Sequence, residues 1–293
     1  MPRIKQCIGS IQGQIGAHSG GLISFNHIIQ DGQSKDGFDV WMNQFLKSQK
    51  SNGIGTIQIF SEHDRGMYDA INRGWEKSDG DILSWLNHDE QYLPGTLNRV
   101  NEYFKSNPHI DFVFGNMIII DPDGNPIAAR REIPLREFYI KRDFLYAISC
   151  TIFFRRSLYD EKLLSLDPKY QVAGDLDLIL KLLQNGKHVG HINEYLSLFC
   201  VDGKNLSVTS KDQMKHEVSE IRAAYGGSNA RWSTLIVKGL RSMERFLYGC
   251  YKKEDLEYLY CLNENSEYQT IKRKNVGYRF SYDRIEILRE NET

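Results

Sequence analysis

The 293 residues are 41% hydrophobic and 26% charged, an ordinary globular make-up that excludes collagen-like, coiled-coil and low-complexity classes and allows one large domain with an appendage, or two modest ones. Lys and Arg (37) nearly balance Asp and Glu (38), and no stretch concentrates cations as duplex binding requires, so no nucleic acid is expected as a partner. Five scattered cysteines without a C-x-x-C pair, and no apolar run near the roughly 20 residues of a membrane span, predict a cytoplasmic protein, at most peripheral at the inner face of the membrane.

In chain order, IKQCIGSIQGQ (4–14) spaces Ile4, Ile8 and Ile11 as a helix, and NHIIQDG (26–32) is a β-branched run that stops at Asp-Gly. GFDVWMNQFLKSQK (37–50) returns to helical period, TIQIF (56–60) is a strand, and MYDAINRGWEKS (67–78) a helix leading into the strand DILSWLN (81–87). LPGTLNRVNEYFKSNP (93–108) predicts a helix with Pro94 near its first turn. DFVFGNMIIIDPDGNPIAAR (111–130) is two extended runs around a turn, an antiparallel hairpin. SCTIFFRRS (149–157) is another strand, and DLDLILKLLQNGK (175–187) a helix stopped at Asn185-Gly186. Such alternation predicts an α/β fold with a mainly parallel sheet, helices on both faces and an added antiparallel hairpin. After Ser207 long helical stretches dominate, ending in a polar, tyrosine-rich tail, so the expected division is a catalytic domain at 1–207 and a mainly helical extension at 208–293.

Polar residues gather where strands end, which is where open α/β sheets bind ligands. Asp31 follows HIIQ, the group Asn87, His88, Asp89 and Glu90 follows ILSWL, and Asp175 with Asp177 opens the helix after the last strand region. Singly, each has a plain structural reading: a turn at Asp31-Gly32, an acid at a positive helix start, an N-cap at Asp175. Together, carboxylates converging on one sheet edge repel one another unless a cation or proton is shared, which points to a divalent metal.

The same stretches resemble family 2 glycosyltransferases with the GT-A fold. IIQDGQSKDG is similar to the family's "I-V-D-G-G-S-T-D-G", and FSEHDRGMYDAINRGWEKSDGDILSWLNHDE to its "S-E-P-D-K-G-I-Y-D-A-M-N-K-G … G-D … L-N-S-D-D". FVFGNMIIIDPDGNPI, TIFFRRSLYD and AGDLDLILKLLQNGK resemble the hairpin, the "T-F-F-R-R-S-L-Y" segment and the "E-D-x-D-L-x-L-R-L" helix start that follow in order, so the likeness runs from about residue 4 to 207. It implies a metal-dependent, inverting transfer of a sugar from a nucleotide-diphosphate sugar, typically a UDP-sugar, to a glycan or lipid-linked acceptor in polysaccharide or glycoconjugate assembly. Asp31 is then the base-binding residue, Asp64 and Arg65 face the nucleotide or else form a solvated turn, Asn87 meets the ribose or a metal-bound water, and Asp89 holds Mg²⁺ or Mn²⁺ with Glu90 as a weaker second ligand. Asp175 becomes the catalytic base that takes the acceptor's proton, Asp177 a support for the helix start, and His88 a loop residue, since a hard cation prefers oxygen.

Three departures accompany the likeness. The family's opening strand "S-I-I-T-P-T-Y-N" has no counterpart ahead of IKQCIGSI, which raises the expectation of a truncated gene product or a misassigned start. Gly174 stands where the family has a Glu beside the base, and Glu90 where it has an Asp. These departures keep an alternative open, a non-catalytic nucleotide- or carbohydrate-binding relative; a nucleotidyltransferase on a similar sheet is a further one. RWSTLIVKGLRSMERFLYGCYKK (231–253) places an apolar stripe opposite Lys238, Arg241, Arg245 and Lys252. The expectation is a helix packed on the body with its basic face in water, and the other reading a basic amphipathic helix making peripheral contact with a membrane.

Overall fold

A computed structural model describes residues 2–16, 24–48, 55–203, 205, 209–227 and 230–280. The spine is β5 (Phe112–Ile120), all nine of whose residues are buried. It pairs antiparallel with β7 (Phe153–Arg155) at its start and with β6 (Pro126–Arg130) at its end, and parallel with β8 (Val189–Cys200) along its length. The short strands β3 (Ile82–Leu83) and β4 (Gln91–Tyr92) close the edges, giving the order β3-β7-β5-β8-β4. Two further strands, β1 (Phe25–Asp31) and β2 (Gly55–Ser61), form a separate parallel pair.

Side chains alternate across β5 with the two-residue period of a strand. Phe112 and Phe114 face one layer, shared with Tyr68 and Trp75 of α3 (Met67–Glu76) and with Leu176, Ile179 and Leu180 of α7 (Gly174–Gln184). Val113 faces the opposite layer, with Cys7 and Ile11 of α1 (Pro2–Gln12) and Val100 and Phe104 of α4 (Thr96–Ser106). Ile8 of α1 is fully buried in a third cluster with Ile29 and with Phe38, Met42 and Phe45 of α2 (Phe38–Ser48). Two four-residue helices, α5 (Glu137–Ile140) and α6 (Ser157–Asp160), complete this part of the chain.

The predicted elements are present, with informative differences. Only two residues of DILSWLN join a ladder, because their partner β7 is itself three residues long. Pro94 lies in the turn ahead of α4, whose N-cap is Gly95 in the left-handed region. The main sheet is more mixed than the alternation of strands and helices predicts, since among the described residues β5–β8 is its one parallel ladder. β8 has no counterpart among the expected elements.

The region after 207 contains α8 (Lys211–Ala224) and α9 (Arg231–Leu247), but its tyrosine-rich tail is a hairpin of β9 (Glu254–Cys261) and β10 (Tyr268–Val276) rather than a loose end. Along β9, Leu256, Tyr258 and Tyr260 are buried while Asp255, Glu257 and Leu259 are exposed, a strand period that the helical expectation overlooked. The hairpin is bonded into the body: the Tyr258 hydroxyl donates to the Gly124 carbonyl (2.6 Å), and Gln91 exchanges two hydrogen bonds with the Cys261 backbone. Helix α9 is turned the other way from the expected packing. Arg241 and Arg245 are buried and the apolar stripe faces outward, because Asp143 and Glu132 beneath the helix recruit the two guanidiniums.

Phe154 is wholly buried and stacks on Trp85 and Phe112 at 6.0 Å each, the rings of Trp85 and Phe154 only 5° from parallel. Phe154→Ala is therefore expected to reduce the unfolding free energy by about 3–5 kcal/mol in a denaturant titration, a loss an exposed phenylalanine would not give.

Candidate active site

Parallel pairing of β1 with β2 sets Asp31 opposite Ser61 at the carboxyl end of both strands. The Asp31 carboxylate accepts the Ser61 hydroxyl at 2.7 Å and the Ser34 N–H at 3.2 Å. Burial alone would raise its pKa, but these donors outweigh it and hold the carboxyl below its ordinary range. Asp64 comes from the loop after β2 and lies against Gly32, so close that a Cβ at residue 32 would sit 2.7 Å from its Oδ2. The Asp64 carboxylate also accepts the Gly66 N–H at 2.9 Å and shapes the turn into α3. Arg65 has a largely exposed side chain, and its guanidinium donates to Asp69 at 2.9 Å. Asp69 receives the Arg65 backbone N–H and Arg73 Nε as well, and is pulled down to about 2, chiefly by the Arg65 guanidinium.

After β3 the chain folds on itself. Asn87 donates its N–H and its amide to the two oxygens of Glu90 (2.8 and 3.0 Å), and the Glu90 N–H returns to the Asn87 carbonyl at 3.1 Å. Glu90 is thus buried in the base of the loop, where burial pushes its pKa up to about 8 against the pull of Asn87. His88 is exposed at the tip. Asp89 points to a different neighbourhood: Nη1 of Arg3 lies 4.0 Å from its carboxylate and 2.7 Å from that of Asp202, which follows β8. Burial raises the Asp89 pKa, and the charge of Asp202 adds to that.

Among the described residues, no group of three or more His, Cys, Asp or Glu side chains could hold a metal. Two carboxylates drawn to one positive charge are nevertheless a fitting donor set for Mg²⁺ or Mn²⁺, which takes one or two protein carboxylates and completes its shell with water and substrate phosphates. The fit is with Asp89 and Asp202. Both Glu90 oxygens are engaged by Asn87.

Asp175 stands in the first turn of α7, partly exposed. Burial of the carboxyl pushes its pKa up to about 6; its bond from the Leu176 N–H opposes this and the negative charge of Glu217 adds to it. Two residues the sequence reading did not assign hold it there. Tyr68, at the start of α3, accepts the Gly174 N–H at 2.9 Å, and its ring occupies the space beside Gly174: a Cβ there would lie 2.7 Å from Cε2. The glutamate of the resembling motif therefore has no room at position 174. Glu217, on α8 and only 5% exposed, accepts the N–H groups of Gln171, Val172 and Ala173 at 3.0, 3.0 and 2.9 Å. Burial would raise the Glu217 pKa, yet those donors keep it below the ordinary carboxylate range. Asp177, on the far side of the turn, accepts the Tyr225 hydroxyl at 3.0 Å and fastens α7 to α8.

The sequence-predicted residues thus fall into two groups. Asp31, Asp64 and Asp175 are linked through one short segment, since Asp64 touches Gly32 and Tyr68, four residues on, touches Gly174. Asn87, Asp89 and Glu90 form the second group, with Arg3 and Asp202.

Residues 2–163 match the family model described as "Glycosyl transferase family 2". A PGL/p-HBAD biosynthesis glycosyltransferase of Mycobacterium bovis (strain BCG / Pasteur 1173P2) is 28% identical over 131 residues, which is 43% of this chain and 47% of that relative; the chain spans about half the length of the curated relatives it matches. Among solved structures, S. aureus TarS 1-349 in complex with UDP-GlcNAc superposes with a TM-score of 0.57 at 13% identity, covering 84% of this chain and 70% of that one. The mannosyltransferase PcManGT from Pyrobaculum calidifontis, in complex with GDP-Man and Mn²⁺, gives 0.55 at 14% identity, covering 81% and 65%. At such identities these two likenesses establish the fold, which is that of GT-A glycosyltransferases.

Glu217→Ala would leave three consecutive N–H groups, that of Ala173 buried, without their acceptor, and a fall of roughly 3 kcal/mol in stability is expected. Because the folded-state pKa of Glu217 is depressed, its stabilisation is present above the unfolded carboxylate pKa and is lost as pH falls through the folded one. Thermal melts of wild type and variant should therefore lie well apart at neutral pH and converge in acid.

Proposed function

Since the chain belongs to glycosyl transferase family 2, we propose that it transfers a sugar from a nucleotide-diphosphate sugar, with a UDP-sugar as first candidate, to a hydroxyl of a glycan or lipid-linked acceptor, inverting the anomeric centre. The observation that carries this reading is the setting of Asp175, a carboxyl poised near pKa 6 on a segment fixed from both sides by Tyr68 and Glu217. A base of that strength is mostly ionised at neutral pH and still basic enough to take a proton from an attacking hydroxyl. The acceptor oxygen attacks the anomeric carbon, the bond from that carbon to the diphosphate breaks with its electron pair leaving on phosphate, and the hydroxyl proton passes to Asp175.

Asp31, fixed by Ser61 and Ser34, is assigned to the nucleotide base, to which an ionised carboxylate presents two acceptors. Asp64 and Arg65 frame the same end of β1 and β2; Arg65, exposed beyond its bond to Asp69, is placed to meet phosphate. Asn87 and Glu90 keep the loop closed so that Asp89 stays near Asp202. When bound there, Mg²⁺ or Mn²⁺ supplies positive charge that stabilises the departing diphosphate. Asp89 and Asp202 would hold it.

Incubation with UDP- and GDP-sugars and Mn²⁺, followed by measurement of nucleoside diphosphate release, tests the reading. Wild type should release it with a rate that falls about tenfold per pH unit below pH 6, as Asp175 takes up its proton. Asp175→Asn should lower the rate by about 10²- to 10⁴-fold with little change in donor affinity. A variant as fast as wild type would remove Asp175 from the chemistry, and release of pyrophosphate instead would indicate nucleotidyl transfer.

A further inference from the structure

Helix α9 carries an apolar stripe and turns it to the outside. Trp232, Leu235, Phe246 and Leu247 are 69%, 64%, 72% and 74% exposed, and Ile236 and Met243 lie between them, also exposed. The inward side is the polar one. Arg245 donates Nε and Nη2 to Glu132 at 3.0 and 2.5 Å, and Arg241 pairs with Asp143 while its guanidinium lies 4.0 Å over the Phe144 ring. Glu132 is further held by Arg130 and by the Tyr278 hydroxyl, so the acceptor for Arg245 is built into the body. Rotating the helix to hide its stripe would pull both arginines from the buried carboxylates of Glu132 and Asp143, a strongly unfavourable change. The outward stripe is therefore fixed by the pairs beneath it.

The charges around the stripe select its partner. Arg231, Lys238, Lys252 and Lys253 are exposed on α9 or just past its end. Glu244, the single acid within the helix, is turned to the body, where it accepts from Arg136 at 2.6 Å and from the Tyr139 hydroxyl at 2.7 Å. The flanking cations disfavour a second copy of the same face, and an apolar band rimmed by cations complements a surface that is apolar inside and anionic at its rim. Trp232 and Tyr248 mark the two ends of the stripe, the residue types that settle at the headgroup level of a bilayer. No helix among the described residues is long and apolar enough to cross a membrane, so this one would lie in the interface plane.

We propose that the outward face of α9 docks this protein on an anionic phospholipid surface. The proposal rests on the orientation and charge of one helix and is independent of the glycosyl-transfer reading. Flotation of the full chain with vesicles tests it. Binding should be strong to phosphatidylcholine mixed with phosphatidylglycerol, weak to phosphatidylcholine alone, and reduced by salt. Leu235→Ser with Phe246→Ser should weaken binding at least tenfold while leaving the far-UV spectrum and melting temperature unchanged, since both side chains are exposed. Lys252→Glu with Lys253→Glu should lower binding to the anionic vesicles alone. Failure to float with either vesicle type would overturn the proposal, as would unchanged binding by the serine variant. So would a concentration-dependent dimer, seen by light scattering and abolished by the same two serines, in a protein that ignores vesicles.

Discussion

One buried carboxylate, that of Glu217, gathers three successive backbone N–H groups immediately ahead of Asp175. Those groups precede a helix, where no i−4 carbonyl exists to accept them, and a segment that runs into the interior at Ala173 without acceptors would be under strong pressure to rearrange. With Glu217 in place the segment has a defined path, and Tyr68 fixes the next peptide from the opposite side. The first two-thirds of the chain thus supplies Asp175 and the last third supplies the acceptor that places it. A boundary near residue 207 cuts through this arrangement, since α8 and the β9–β10 hairpin are bonded to the body at Gln171–Ala173, Gly124 and Gln91.

Length alone did not make an element legible in the amino-acid order, since β8 runs for twelve residues without an expected counterpart; a clean apolar run with a turn signal did. The β5–β6 hairpin is the clearest case, with nine consecutive buried residues and an Asp-Pro-Asp-Gly-Asn turn whose Gly124 adopts positive φ. The tail escapes such a reading for a physical reason: in EDLEYLYC two of the four buried positions are tyrosines, which read as polar until their rings are seen packed in one cluster with Ile118, Ile120 and Leu198. Helix α9 shows the converse. Its amphipathic pattern was evident, but pattern alone does not say which face is inward, and here buried acids at Glu132 and Asp143 reversed the usual choice.

For the candidate site, the sequence singled out the carboxylates and could not see what holds them. Gly174 read as the loss of a supporting acid; in space, a tyrosine ring fills that position and an acid arrives from residue 217. A signal was present, because Glu217 lies four residues before buried Ile221 and beside Val218 on the packed side of α8, where a solvated glutamate would not belong. Asp202 was missed for lack of any motif, since its nearness to Asp89 depends on β8 running parallel to β5. Glu90, by contrast, lay within a recognised motif, and its oxygens are spent on shaping the loop.

All five cysteine thiols are interior, and burial raises the pKa of each, so none offers a thiolate to a reagent in water. The chain therefore carries a natural blank background for maleimide chemistry. A single thiol engineered on the surface would report its own surroundings alone, and a spin label or fluorophore could be set at one chosen position without first stripping the native sulfurs from the core.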